Sequence, residues 1–430
     1  MQLIALDPGH FHASLVHREQ YPGIDTTIQV LAPEGKEVAQ YLQEIANHNS
    51  RASFKENWTT EIFRGPGYLE QLKACRPASI VILAGNNRLK PGYISAAVNA
   101  NMHVLADKPM AIDAGGFNML KTSFETAANN NTLLFDVMTE RYETRNVLQK
   151  AISQLPELFG ELLTGTKDDP AVIKKSVHHF KKTVAGKPLI RPVWYMDTRE
   201  QGEGIVDVTT HLVDLVQWTC FPNQILNYNE EIEIDNAVSW PTTLNLQQFN
   251  AVTGAESFPA GLEKMIDENG LLNVYANGAF DYTIRNIHAH IAVQWNYEAP
   301  AGTGDTHYSL LKGSKAWLYV LQDKEQHYQP TLYIQPVSND KKYINTLHKQ
   351  FGLLQTAYPG IELKQVKERW EVIIPDSLIR KHELLFGAVM KQFLKYIKEG
   401  RMPEWEISAM LSKYYTTTQA LLKAKRLTGD

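Results

Sequence analysis

The tightest constraint on the fold is a rhythm in the first third of the chain: short apolar runs, each closed by a turn and alternating with helix-patterned stretches. Residues 2–6 (QLIAL) end in Asp7-Pro8-Gly9, and residues 27–31 end in Ala32-Pro33-Glu34-Gly35. Val38, Leu42 and Ile45 then recur at helix-face spacing. The run 79–84 (SIVILA) is closed by Gly85-Asn86-Asn87, and Pro91 opens a helix with Ile94, Ala97 and Val98 on one side. Residues 103–106 (HVLA) lead into Asp107-Lys108-Pro109, a helical stretch follows to about residue 130, and a last run occupies 133–138. Strand, helix, strand at this pace predicts an α/β, Rossmann-type doubly wound parallel sheet over residues 1–145.

Beyond residue 145 the pattern changes. Residues 279–297 and 307–321 alternate with period two over long stretches, as in Ile287, Ala289, Ile291, Val293 and Trp295. Such alternation suits an antiparallel sheet with one covered face. We therefore expect an α+β domain over 146–430 with a large, mainly antiparallel sheet. Residues 340–370 read as a polar, irregular insertion, and 380–430 as closing helices. The covered face of that sheet is also where a homo-oligomer would form.

Composition narrows the function. Lys and Arg number 43 against 47 Asp and Glu, a net charge of -4. A pI near 6.4 speaks against nucleic acid as a partner. No run approaches the ~18 apolar residues of a membrane span. Two cysteines, Cys75 and Cys220, exclude a disulfide framework and a cysteine-based zinc site. The N-terminus enters an apolar run without a basic segment, which points to the cytoplasm, the periplasm staying open if a signal has been removed.

Ligands of an open parallel sheet lie outside the carboxyl ends of its strands. Three such ends carry polar segments here: Asp7-Pro8-Gly9-His10-Phe11-His12, Gly85-Asn86-Asn87 and Asp107-Lys108-Pro109. The first stands where a glycine-rich phosphate turn belongs, yet of G-x-G-x-x-G only Gly9 is kept. It reads either as a modified cofactor turn or as an ordinary strand-to-helix turn. Glu34 follows Gly9 by 25 residues, close to the place of a ribose-binding carboxylate; a solvated loop acid is the other reading. Lys108 ends an apolar strand ahead of a proline, so its ammonium either emerges at the ligand edge or reaches out to solvent.

The sharpest segment is Gly202-Glu203-Gly204-Ile205-Val206-Asp207-Val208-Thr209-Thr210-His211-Leu212-Val213-Asp214. On a helix at ~100° per residue, Asp207, His211 and Asp214 share a stripe among apolar neighbours. Buried carboxylates and a histidine are there because they are paired or because they act. The two readings are a structural cluster and a histidine acid–base oriented by Asp207. As a metal site the donors are few, and no metal is expected. Asn86, Asn87 and Lys90 would meet ribose or substrate hydroxyls, or else make a turn. His179, Lys181, Tyr195, Asp197 and Arg199 interleave polar and aromatic groups in a way that suits a sugar, or else a solvated sheet.

In this order the motifs resemble the Gfo/Idh/MocA oxidoreductases over most of the chain. Leu83-Ala84-Gly85-Asn86-Asn87 stands in the place of that family's T-P-N segment. His103-Val104-Leu105-Ala106-Asp107-Lys108-Pro109 stands for its H-V-L-x-E-K-P, and the D-x-x-x-H-x-x-D segment follows at Asp207, His211 and Asp214. The resemblance implies that Lys108, Asp207 and His211 are catalytic. It implies that Asp7, Gly9, His10, Phe11, His12 and Glu34 hold NAD or NADP, with Gly85, Asn86, Asn87, Lys90, Asp107 and Pro109 near its nicotinamide half. His179, Lys181, Tyr195, Asp197, Arg199 and Asp214 would face the substrate. The implied activity is hydride transfer between the nicotinamide and a sugar, glycoside or polyol hydroxyl. The alternatives are a glycoside hydrolase or lyase that retains NAD and oxidises a sugar carbon transiently, and a silent sugar- or nucleotide-binding protein. Two glycines lost from the turn, and Asp107 for the usual glutamate, are the departures.

Overall fold

A computed structural model describes all residues except Ser53, Lys55, Ala185, Gly186, Gly429 and Asp430. The chain separates into two compact units, the first comprising Met1–Thr139, Pro192–Gly202 and Lys381–Thr418. The second comprises Glu140–Arg191, Glu203–Arg380 and the chain from Gln419 on. The sequence reading placed one boundary at 145 and all later residues in one domain. In the structure, residues 192–202, with Tyr195, Asp197 and Arg199, and most of the closing helices group with the nucleotide-type sheet instead.

The first unit starts with β1 (Leu3–Leu6), α1 (His12–Leu15), β2 (Thr27–Ala32), α2 (Lys36–Asn49) and β3 (Thr59–Arg64). It continues with β4 (Ile80–Leu83), α3 (Lys90–Asn99), β5 (His103–Asp107), α4 (Ala114–Asn129) and β6 (Leu134–Val137). The strands pair in parallel in the order β3-β2-β1-β4-β5-β6. β1, β4, β5 and β6 are buried at every residue, which is why β1 and β4 are wholly apolar and the polar residues of β5 and β6 are few. Asp136 on β6 is fully buried with Lys413, 2.6 Å away, and Tyr414 Oη donates to it at 2.8 Å.

The chain continues with α5 (Thr144–Ser153), β7 (Val172–Lys181), β8 (Thr183–Val184), β9 (Lys187–Pro188), α6 (Thr198–Gln201) and α7 (Thr209–Cys220). Next come α8 (Tyr228–Glu231), β10 (Ile232–Leu244), α9 (Leu246–Thr253), β11 (Leu272–Ile284) and β12 (Ile287–Glu298). Then follow β13 (Thr306–Lys312), β14 (Ala316–Gln322), β15 (Thr331–Pro336), α10 (Lys341–Ala357), β16 (Glu362–Val366) and β17 (Arg369–Ile373). The chain closes with α11 (His382–Glu399) and α12 (Glu404–Thr428). The second unit holds a nine-stranded sheet, β10-β11-β12-β7-β13-β14-β15-β17-β16, antiparallel except where β12 pairs with β7.

Residues 340–370 are not an irregular insertion. Asp340 caps α10 by accepting from Tyr343 N at 2.8 Å, and Tyr343, Leu347, Phe351 and Leu354 are buried at helix-face spacing. β16 and β17 then pair and complete the sheet edge. The polar residues between these positions are the helix's solvated face, and they hid the period.

Two buried histidines of the first unit set an acid limit on its stability. Burial pushes His17 down to about 3, against the raising effect of its hydrogen bond to Ala13 O, and nearby His48 lowers it further. Burial likewise brings His48 down to about 4, with Arg51 lowering it as well. Both values lie below the unfolded value of 6.5, so above pH 6.5 the rings are neutral in either state. Below it the unfolded chain takes up protons that the fold refuses, and stability falls with pH. The expected loss is about 2 kcal/mol per ring by roughly pH 5. His17→Gln should lower the slope of urea midpoints between pH 7 and 5, leaving the share of His48 and of the unit's other histidines with a lowered pKa, His103 and His382; an unchanged slope would contradict the assignment.

Candidate active site

In the first unit the order β3-β2-β1-β4-β5-β6 places the topological switch between β1 and β4, and the loops after these two strands meet there. His10 N donates to Ala84 O at 2.9 Å. A Cβ on Gly85 would stand 2.3 Å from Asp7 O, so only glycine permits this approach. A Cβ on Gly9 would come within 3.8 Å of both Gly85 Cα and the Trp194 indole. Asp7 takes φ 45°, in the left-handed region that few residues with a side chain occupy.

The turn is nevertheless rebuilt. Gly9 N donates to Asp7 O at 2.7 Å, so the amides of Gly9 and His10 are spent inside the protein, and α1 is a four-residue helix. The Asp7 carboxylate accepts from Tyr93 Oη at 2.9 Å, and burial, partly offset by that bond, raises its pKa. Two imidazoles of the turn face the end of β5: His12 Nδ1 lies 2.9 Å and His10 Nδ1 3.6 Å from Asp107 Oδ2. Burial alone would raise the Asp107 carboxyl, but His12, Lys90 and His10 together hold it well below the usual carboxylate range. His10 also stacks at 6.4 Å on Tyr195, while Phe11 is exposed. Glu34 is exposed just past β2.

The glycines at the meeting of the two loops and the exposed Glu34 past β2 are compatible with a dinucleotide at the switch point. No metal was expected from the sequence; His10, His12 and Asp107 form a cluster of three potential metal ligands.

Several residues expected at the cofactor or the substrate are held by partners within the first unit. Lys90 is 1% exposed, and its ammonium donates to Asn87 Oδ1 (2.6 Å), Asp107 O (2.8 Å) and Pro109 O (3.0 Å). It holds the loop that carries Lys108 and does not point into the cleft. Asn87 is buried and donates to Gln201 O at 2.8 Å and Gln201 Oε1 at 3.2 Å. Asn86 donates to Glu200 and accepts from Arg88 N and Leu89 N. Asp197 and Arg199 form a two-pronged pair with each other at 2.8 and 2.6 Å. Lys108 is half-buried, joined to Pro109 by a cis peptide bond.

In the second unit, Gly204 fixes the approach to α7. Its N–H donates to Tyr275 O at 2.9 Å, and a Cβ there would fall 1.8 Å from Ala276 O. The helix begins only at Thr209, so Asp207 lies in the preceding turn, buried, with half-buried His211 in the first helical turn. The predicted stripe of Asp207, His211 and Asp214 is thereby broken up. Asp214 is 1% exposed and forks onto Arg141, with Nε and Nη2 each donating at 2.7 Å. The fork ties Asp214 within the second unit, and Arg141 was not among the residues that the sequence singles out. His179 Nδ1 lies 2.9 Å from Asp305, which His178 and Lys182 also contact. Lys181 is an exposed partner of Glu298 at 2.7 Å, and nothing in its surroundings marks it as a ligand.

The family model described as "Putative oxidoreductase C terminal domain" matches residues 148–425. Among solved structures, a "putative oxidoreductase" from Parabacteroides merdae is 45% identical, with a TM-score of 0.96 over 99% of this chain and 98% of that one. A levoglucosan dehydrogenase in complex with NADH and levoglucosan is 12% identical, with a TM-score of 0.62 over 99% and 97%. A 3-ketoreductase from Actinomadura kijaniata, in complex with NADP and TDP-benzene, is 13% identical, with a TM-score of 0.56 over 97% and 95%. No curated protein matches the chain. Among the described residues no helix is long and apolar enough to cross a membrane. Family match, near-complete overlay at 45% identity and sheet order agree: the chain belongs to the oxidoreductases that carry this C-terminal domain, and its fold is of the Gfo/Idh/MocA type.

Proposed function

We propose that the protein is an NAD(P)-dependent oxidoreductase acting on a CH–OH group of a sugar, glycoside or polyol. The observation that carries the reading is the close meeting of the β1 and β4 loops at the switch point, where a Cβ on Gly85 would stand 2.3 Å from Asp7 O. Two structural relatives, a levoglucosan dehydrogenase with NADH and a 3-ketoreductase with NADP, support the cofactor class and the substrate class.

The Gly9 turn, His10, His12 and Glu34 would hold the dinucleotide: Glu34 accepts from ribose hydroxyls and the imidazoles face the phosphates. When bound, the nicotinamide accepts or returns the hydride of the carbinol carbon. His211 takes the hydroxyl proton as general base and returns it in the reverse direction. Asp207, buried, orients the imidazole and stabilises its charged form. Lys108 donates a hydrogen bond to the developing alkoxide. Lys90 keeps Lys108 in place by holding the carbonyls on either side of it.

The test is turnover on a panel of sugars, glycosides, polyols and their keto forms, followed by nicotinamide absorbance. Oxidation of a hydroxyl or reduction of a ketone, with stoichiometric change in the nicotinamide, is the expected result. Glycoside cleavage without net absorbance change would replace it with the recycling, bond-cleaving chemistry. Binding of sugars without any chemistry would sink both.

A further inference from the structure

We infer that His10, His12 and Asp107 form a binding site for one divalent transition-metal ion of the zinc class. The three side chains each offer a ligand atom, and these atoms all lie within 4.8 Å of one another. His12 Nδ1 and His10 Nδ1 stand 2.9 and 3.6 Å from the same oxygen, Asp107 Oδ2. Two donors at ~2.0–2.1 Å from a tetrahedral zinc are about 3.3 Å apart, and the two observed separations bracket that figure. The imidazole rings meet edge to face, centroids 4.2 Å apart at 83°, so their nitrogen edges converge without stacking.

The chemistry of the set is specific. Two imidazoles and one carboxylate suit zinc, iron, cobalt or nickel, whereas magnesium and calcium prefer all-oxygen sets. Three protein ligands leave open coordination positions, the pattern of sites that bind water or a ligand oxygen. The histidines each retain 14% side-chain exposure and Asp107 8%, so the cluster is enclosed yet reachable. Asp107 ends a wholly buried strand, and Lys90 grips its carbonyl at 2.8 Å and that of Pro109 at 3.0 Å. Ligands on so fixed a backbone lose little freedom on binding. Phe386 packs 4.7 Å from the His12 ring and His382 lies 6.3 Å from it, which gives the site an apolar flank and a further imidazole close by.

The placement explains why this turn tolerates the loss of two glycines. With the amides of Gly9 and His10 spent, a cation held at Asp107 restores positive charge where the fold ordinarily presents helix amides to an anion. The site itself stands on geometry alone and does not depend on the proposed function.

The experiment uses the full chain stripped with a chelator and titrated with Zn²⁺ calorimetrically, with Mg²⁺ as comparison. One Zn²⁺ per chain at micromolar or tighter affinity is expected, with little response to Mg²⁺. His10→Gln, His12→Gln and Asp107→Asn should each weaken Zn²⁺ by more than the ~10–100-fold that an outer-sphere residue costs. Circular dichroism checks that each variant is folded, and His179→Gln, at the separate Asp305 cluster, should bind as the wild type does. No stoichiometric Zn²⁺ in the wild type, or unchanged affinity in the folded His10→Gln/His12→Gln double variant, overturns the site. NADH binding is followed on the same samples: NADH uptake without Zn²⁺ removes the metal site alone, and Zn²⁺ uptake without NADH removes the functional reading alone.

Discussion

Replacing Arg141 with methionine is expected to cost the second unit about 3–5 kcal/mol, because it removes the two-pronged partner of a carboxylate, Asp214, that is 1% exposed. The pair is two-pronged, with both bonds at 2.7 Å, and neither partner reaches water. Removing one partner forfeits the attraction and keeps the desolvation penalty. Removing both should not: the Arg141→Met/Asp214→Leu double variant is expected to recover most of the loss. Urea unfolding followed by circular dichroism measures both, and the single variant should melt on the order of 10 °C lower. A single-variant loss under about 1 kcal/mol would mean that water reaches Asp214, and the fork would then contribute little to the fold.

Lys108→Met and His211→Ala are each expected to lower turnover by about two to four orders of magnitude while the protein still binds its nucleotide. The two should differ in kind. Loss of the base at residue 211 should fall mainly on kcat and abolish the limb of the pH profile that reports the imidazole. Loss of the ammonium at residue 108 should leave that limb in place and lower the plateau. Turnover retained in both variants would remove the catalytic assignment, though not the family or the fold.

The sheet of the first unit was readable because its central strands are buried on both faces: LIAL and IVIL carry no polar residue, and in HVLAD the polar residues stand at the two ends. The second sheet was readable by alternation, although 279–297 is a hairpin. Arg285 and Asn286 turn it at φ 48° and 66°, and neither is a glycine that would mark the turn. α10 escaped because its buried face is only four residues among lysines and glutamines.

The candidate site was legible as strand-end segments, and their internal contacts were not. His12 meets Asp107 across 95 residues, and Arg141 meets Asp214 across 73. No local pattern encodes such pairings; only the parallel strand order brings the first together. Lys90 shows the same limit, since a lysine satisfied by three oxygens is indistinguishable in sequence from one that greets a ligand.

The central claim is that the rebuilt turn after β1 still holds a nicotinamide dinucleotide. Denaturing the purified protein, identifying any released nucleotide by mass, and titrating NADH and NADPH into the emptied protein tests it most directly. Co-purifying nucleotide, or saturable binding of about one NADH or NADPH per chain at micromolar concentration, is the predicted result. Absence of binding by both nucleotides at millimolar concentration would contradict it, and the spent amides of Gly9 and His10 would then mark a site that has left cofactor chemistry behind.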